Sequence, residues 1–136
     1  MTILGIRQAI QTGLDTITGL RCYSEYPDVI ELPAAIVSLR FTEPVSFDLT
    51  AGNASVLYHF IIDLLLLRGG SIAEAQQALD PYLAFDGGSS VKAAVEAASL
   101  TTHADILRVT SVTSFGPIEF NGMMYLGARF AVDVWV

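Results

Sequence analysis

Two residue types that general-base or metal chemistry draws on, a histidine and a carboxylate, stand four apart in "VLYHFIIDLLLL" as His59 and Asp63. On an extended strand that spacing puts both on one pleat face, near enough for a hydrogen bond between them. Two ligands do not make a zinc site, which takes three protein ligands held by outer partners, and Cys22 stands at no recognisable ligand spacing from either. His59 therefore reads as a structural or interface histidine. His103, just before Asp105 in a polar turn, reads as part of a solvated loop.

Other chemistry-bearing groups have equally plain readings. Glu25, Asp28 and Glu31 cluster around Pro27, as an acid and base pair would, but a solvated turn accounts for them and no nucleophile with a nearby base accompanies them. "RGGS" and "DGGSS" each precede a helical pattern, where an anion can bind, yet neither holds the lysine of a phosphate loop or the glycine spacing of a dinucleotide site. No catalytic, cofactor-binding or metal-ligating residue is assigned, and the expectation is a protein that is not an enzyme.

What remains is surface. The closing stretch "FNGMMYLGARFAVDVWV" alternates with period two: Leu126, Ala128, Phe130, Val132, Val134 and Val136 on one side, Tyr125, Gly127, Arg129, Ala131, Asp133 and Trp135 on the other. The first set predicts a core face; the second predicts a face toward water or another protein. Tyr, Trp and Arg are favoured at interfaces. Tyr125, Arg129, Asp133 and Trp135, with Arg40, Phe47 and Asp48 from the second strand and the loop after it, are the interface candidates.

Composition points the same way. Of 136 residues, 52% are apolar and 15% charged, against about 25% charged in typical soluble domains. A surface so poor in charge is expected to bury part of itself against partners, which predicts an oligomer. A net charge of -7, with seven basic residues dispersed singly, excludes a phosphate-neutralising patch and hence direct nucleic-acid binding. A single cysteine forms no internal disulfide, and "MTILGIRQAI" lacks the order of a signal peptide, so synthesis and assembly in a cytoplasm are expected. The apolar run from Val56 to Leu67 is interrupted by His59 and Asp63 and falls short of the roughly 20 residues of a membrane helix, so it predicts a buried strand.

The elements that must position these residues follow from periodicity. Ile3, Ile6, Ile10, Leu14 and Ile17 form a helical stripe that Thr2 can cap and Gly19 can stop. A short strand at Leu20 to Tyr23 and a second in "AAIVSLRF" are expected to pair. A long contact loop spans 42–55, with Pro44, Gly52 and Asn53, before a third strand running to about Leu67. Ser71 and Glu74 make the capping pattern of a second helix, and "DGGSS" separates it from a third in "VKAAVEAA". Two strands flank a loop containing Pro117 and the Asn121, Gly122 pair, forming a hairpin. One domain over 1–136 results, of α+β class, with helices packed on one face of a mainly antiparallel sheet in the order α-β-β-β-α-α-β-β.

That order, with "MTILGIRQAIQTGLDTITGLRCY", "PAAIVSL", "LDPYLAFDGGSSVKAAVEA" and "GARFAVDVWV", resembles the tail terminator proteins of long-tailed bacteriophages, the lambda-type family, over nearly the full chain. The resemblance implies a homo-oligomeric ring, usually of six copies, in the head-proximal part of the virion tail. Such a ring caps the tail tube protein, ends its polymerisation and offers a docking surface to the head-tail connector or neck protein, while DNA passes through without specific binding. It implies no cofactor and no membrane. A head completion or neck connector protein is the nearest alternative; a small cytoplasmic α+β enzyme or ligand-binding domain is the alternative of another class.

Overall fold

The computed structural model describes residues 3–25, 27–48, 55–68, 71–97 and 106–135. Its elements are α1 (Ile3–Leu14), β1 (Arg21–Tyr23), β2 (Ala34–Leu39), β3 (Val45–Asp48), β4 (Ser55–Leu67), α2 (Ile72–Leu83), α3 (Val91–Glu96), β5 (Ile106–Phe120) and β6 (Met123–Trp135). Among the described residues, three helices and one six-stranded, mostly antiparallel sheet make an α+β fold in approximately the expected order. The Thr2 cap and the histidine turn at His103 and Asp105 lie outside the described residues.

The α1 stripe places Ile6, Ile10 and Leu14 at 0% exposure, but the helix ends at Leu14 rather than running on toward Gly19. There the Thr16 hydroxyl donates to the Gly13 carbonyl at 2.7 Å, supplying the local hydrogen bond with which a threonine competes against helix continuation. Ile17 still reaches the core from the following turn, and Gly19, at φ +83°, redirects the chain into β1.

The strands lie in the order β1-β2-β4-β6-β5, with β3 also paired to β4. β1 and β2 do pair, in parallel, and every other pairing is antiparallel. β2 and β3 occupy the same edge of β4 at different heights: Ala34 to Leu39 face Leu65 to Phe60, and Val45 to Asp48 face Tyr58 to Ser55. The expected contact loop therefore contains a strand, β3, in its first half; residues 49–54 lie outside the described residues. The final hairpin is also tighter than expected. β5 continues through Pro117 to Phe120, and the turn is Asn121 and Gly122 alone, at φ 51° and 76°, the two positive angles of a type I′ turn. Pro117 is tolerated because β5 is an edge strand.

All three helices pack on one sheet face. Ile6, Ile10, Leu79, Val91 and Val95 close over Ala35, Val37, Phe60, Ile62, Leu64, Ala128, Phe130, Val132 and Val134. The opposite face has a second, smaller cluster at one end only, where Ile36, Leu65, Ile118, Phe120 and Tyr125 meet Tyr23, Ile30 and Met123. No helix among the described residues is long and apolar enough to cross a membrane.

Polar side chains have two tasks around the later helices: capping their N-termini and tying α3 to the sheet. Ser71 caps α2, accepting from the Glu74 amide at 3.2 Å. Ser90, at 0% exposure, accepts from the Ala93 amide at 3.1 Å while donating to the Ala84 carbonyl at 2.6 Å. Ser90→Ala removes a cap and leaves the Ala84 carbonyl without its donor, so it should cost about 2 kcal/mol in chemical denaturation. A Ser90→Ala midpoint equal to wild type would show that these bonds are dispensable.

Glu96 performs the second task, at the sheet edge. Its carboxylate pairs with the Lys92 ammonium and accepts from the Val109 amide of β5 at 3.0 Å, so one edge donor is satisfied by a side chain. Burial works against the charge, but Lys92, the Val109 amide and Arg108 outweigh it and hold the Glu96 carboxyl below its ordinary value. A depressed carboxyl contributes stability above its unfolded value and loses it as pH falls through the folded one. Glu96→Gln should therefore flatten the acid limb of the stability profile below about pH 4.5, and an unchanged acid limb would rule this contribution out.

Candidate functional site

On the helix-free face, β4 and β6 place side chains in paired rows: His59 opposite Asp133, Ile61 opposite Ala131, Asp63 opposite Arg129. The expected hydrogen bond between His59 and Asp63 does not form, because each finds its partner across the ladder instead. Directly opposed residues approach more closely than residues four apart on one strand.

Asp63, buried at 5%, receives Arg129 in fork geometry, Nε to Oδ1 at 2.6 Å and Nη2 to Oδ2 at 3.1 Å. His59 Nδ1 lies 2.7 Å from Asp133 Oδ1, and its Nε2 lies 3.0 Å from Ser46 Oγ on β3. A carboxylate only accepts, so Nδ1 carries a proton toward Asp133. Ser46 Oγ also reaches Glu43 Oε1 at 3.3 Å. The arrangement links a serine, an imidazole and a carboxylate by hydrogen bonds across three adjacent strands.

Beside this row opens a cavity of about 290 Å³, with Ile61 and Ala131 from the central strands, Arg40, Phe41 and Thr42 from the chain after β2, and Thr113 and Arg129 opposite. Arg40 is fixed by its own turn, donating from Nε to the Thr42 carbonyl at 2.6 Å and from Nη2 to the Glu43 carbonyl at 2.9 Å. Its guanidinium thus supplies a positioned positive charge at the cavity wall.

The interface candidates divide accordingly. Arg129, Asp133 and Arg40 are committed to partners within the chain, and they gather around one cavity and one relay. Trp135 is half-buried at the end of β6, opposite Leu57 and Ile106. Tyr125 does not face outward: at 8% exposure it packs in the second cluster, because the chain before β2 and the hairpin tip cover that end of the sheet. Phe47 is 72% exposed on β3, and the adjacent backbone of Asp48 pairs with Ser55. Glu25, Asp28 and Glu31 are exposed, with Glu31 paired to Arg21 at 3.3 Å. Burial, aided by the Asp15 carboxylate, pushes the Cys22 thiol up to about 12, which makes it a poor nucleophile and a poor metal ligand at neutral pH.

Ser46 is the residue that sequence reasoning missed. Its neighbours "VSFD" gave alternation over four residues only, and its partner His59 is 13 positions away, while Asp133 is a further 74 from His59. The one available signal was a serine, a histidine and an aspartate each on an alternating strand. In comparisons with protein-family models and with curated proteins, the chain matches none.

Proposed function

We propose that the protein is a structural component of a phage tail, forming a ring of identical copies that caps the tube, ends its growth and presents a docking surface for the head. A ring needs two different patches on every copy, one to meet each neighbour. The observation that carries the reading is apolar surface at two opposite edges of one sheet. At the β3 edge, Phe47 is 72% exposed. At the β5 edge, Val112 and Phe115 are 42% and 46% exposed on the helix side, and Phe85, under the Lys92 ammonium, is 78% exposed. Val112 also lines a groove of about 250 Å³ with Leu83, Lys92, Val109 and Phe130.

Docking Phe47 of one copy into the β5 groove of the next repeats head to tail and closes by rotation. Lone exposed apolar residues are ordinary on a monomer, but paired patches in a chain with 15% charged residues are what a permanent assembly requires. Termination is then geometric: one side of the ring matches the tube end, and the other lacks the surface that recruits a further tube ring. The net charge of -7 suits a passage through which DNA moves without sticking. Phe47→Asp should shift the assembly to smaller species in light scattering with the fold intact by circular dichroism. An unchanged mass distribution would remove Phe47 from the contact.

A further inference from the structure

The polar relay on the helix-free face has its atoms ordered for chemistry. We propose that Ser46, His59 and Asp133 form a nucleophilic relay that hydrolyses small carboxylic esters. Ser46 Oγ meets His59 at Nε2, 3.0 Å, and Asp133 meets the same ring at Nδ1, 2.7 Å. Those are the two nitrogens and the order of contacts that let an imidazole take a proton from a nucleophile while a carboxylate fixes its tautomer. The His59 and Asp133 side chains keep only 12% and 22% of their exposure, so the imidazolium formed in the step is partly shielded and steadied by the carboxylate.

Ile61 and Ala131 follow His59 and Asp133 by one row on the same face and line the cavity of about 290 Å³. Arg40 in its wall is anchored by two backbone carbonyls and lies 3.9 Å from the Glu43 carboxylate. In the first step Ser46 Oγ bonds to the ester carbonyl carbon and its proton passes to His59 Nε2. As the carbon–oxygen bond to the leaving alcohol breaks, that proton moves to the alcohol oxygen. Water then attacks the acyl-serine, again giving its proton to His59 Nε2, and the acid departs as Ser46 recovers its hydrogen. Glu43 opposes the first step, because Oε1 at 3.3 Å competes for the Ser46 hydroxyl proton.

The test uses the full chain, a fluorophosphonate probe and p-nitrophenyl butyrate. The expected result is one phosphonyl group on the peptide containing Ser46, with ester turnover and labelling both lost in Ser46→Ala and lowered at least about 100-fold in Asp133→Asn. Glu43→Gln should label several-fold faster, a gain that a merely structural role for Glu43 would not produce. Folded wild-type protein that leaves Ser46 unlabelled and turns over the ester no faster than Ser46→Ala would overturn the proposal. Labelling is read on the protein whatever its mass in solution, so failure here and failure of the ring are separate results.

Discussion

Gly127→Ala is expected to leave little folded protein. In β6 this residue lies opposite Leu65, next to the register shift between Leu65 and Leu67, where the β4 backbone crowds it. A Cβ at Gly127 would stand 1.8 Å from the Leu64 carbonyl oxygen and 2.9 Å from its carbon. Both atoms are backbone, so no side chain can swing away to make room. Relief requires separating β4 from β6, the two central strands that carry Phe60, Ile62, Leu64, Phe130 and Val132 into the main core. Overpacking ordinarily costs about 1 to 3 kcal/mol through side-chain adjustment. A backbone collision in the middle of the sheet should exceed that, at about 4 kcal/mol or more, a large share of the roughly 5 to 15 kcal/mol that holds a domain together. The measurement is soluble yield with thermal unfolding by circular dichroism. A Gly127→Ala protein melting within a few degrees of wild type would mean that the β4 to β6 approach is looser than described.

Asp63→Ala should have the next largest effect. Its carboxylate is buried at 5% and is held by both arms of the Arg129 fork, whose side chain keeps 32% exposure. Removing the carboxylate strands part of a guanidinium over the sheet, and breaking such a buried pair typically costs about 3 to 5 kcal/mol. Since Arg129 can turn its head toward water, about 3 kcal/mol is the expected loss. The double variant Asp63→Leu with Arg129→Met should recover most of it, because a well-packed apolar pair replaces charge without leaving a partner behind. A double variant as unstable as Asp63→Ala would instead show that the pair stabilises the fold beyond compensating its own desolvation.

The residues that were legible in advance were those whose periodicity is enforced by one continuous apolar surface. The α1 stripe as far as Leu14, the Ser71 cap and the alternation of β6 from Ala128 to Val134 all depend on local spacing, and they stand as expected. Misreadings arose where a distant segment decides the outcome. Tyr125 alternates onto the outward face by sequence, yet chain preceding β2 buries it. β3 was hidden because four residues among Pro44, Gly52 and Asn53 read as turn chemistry, and only the ladder with β4 makes them a strand. Sequence spacing pairs His59 with Asp63 along its own strand, whereas the register with β6 delivers Asp133 and the register with β3 delivers Ser46. Cross-strand partners depend on register, and register is a property of the whole sheet.

The ring reading depends on whether copies of this chain join through the Phe47 and β5 edges, and native mass determination across a wide concentration range addresses that most directly. The account predicts a closed species several times the 14.6 kDa of one chain, holding its mass on dilution and reduced by Phe47→Asp. A single species of 14.6 kDa at the highest concentrations reached would contradict it.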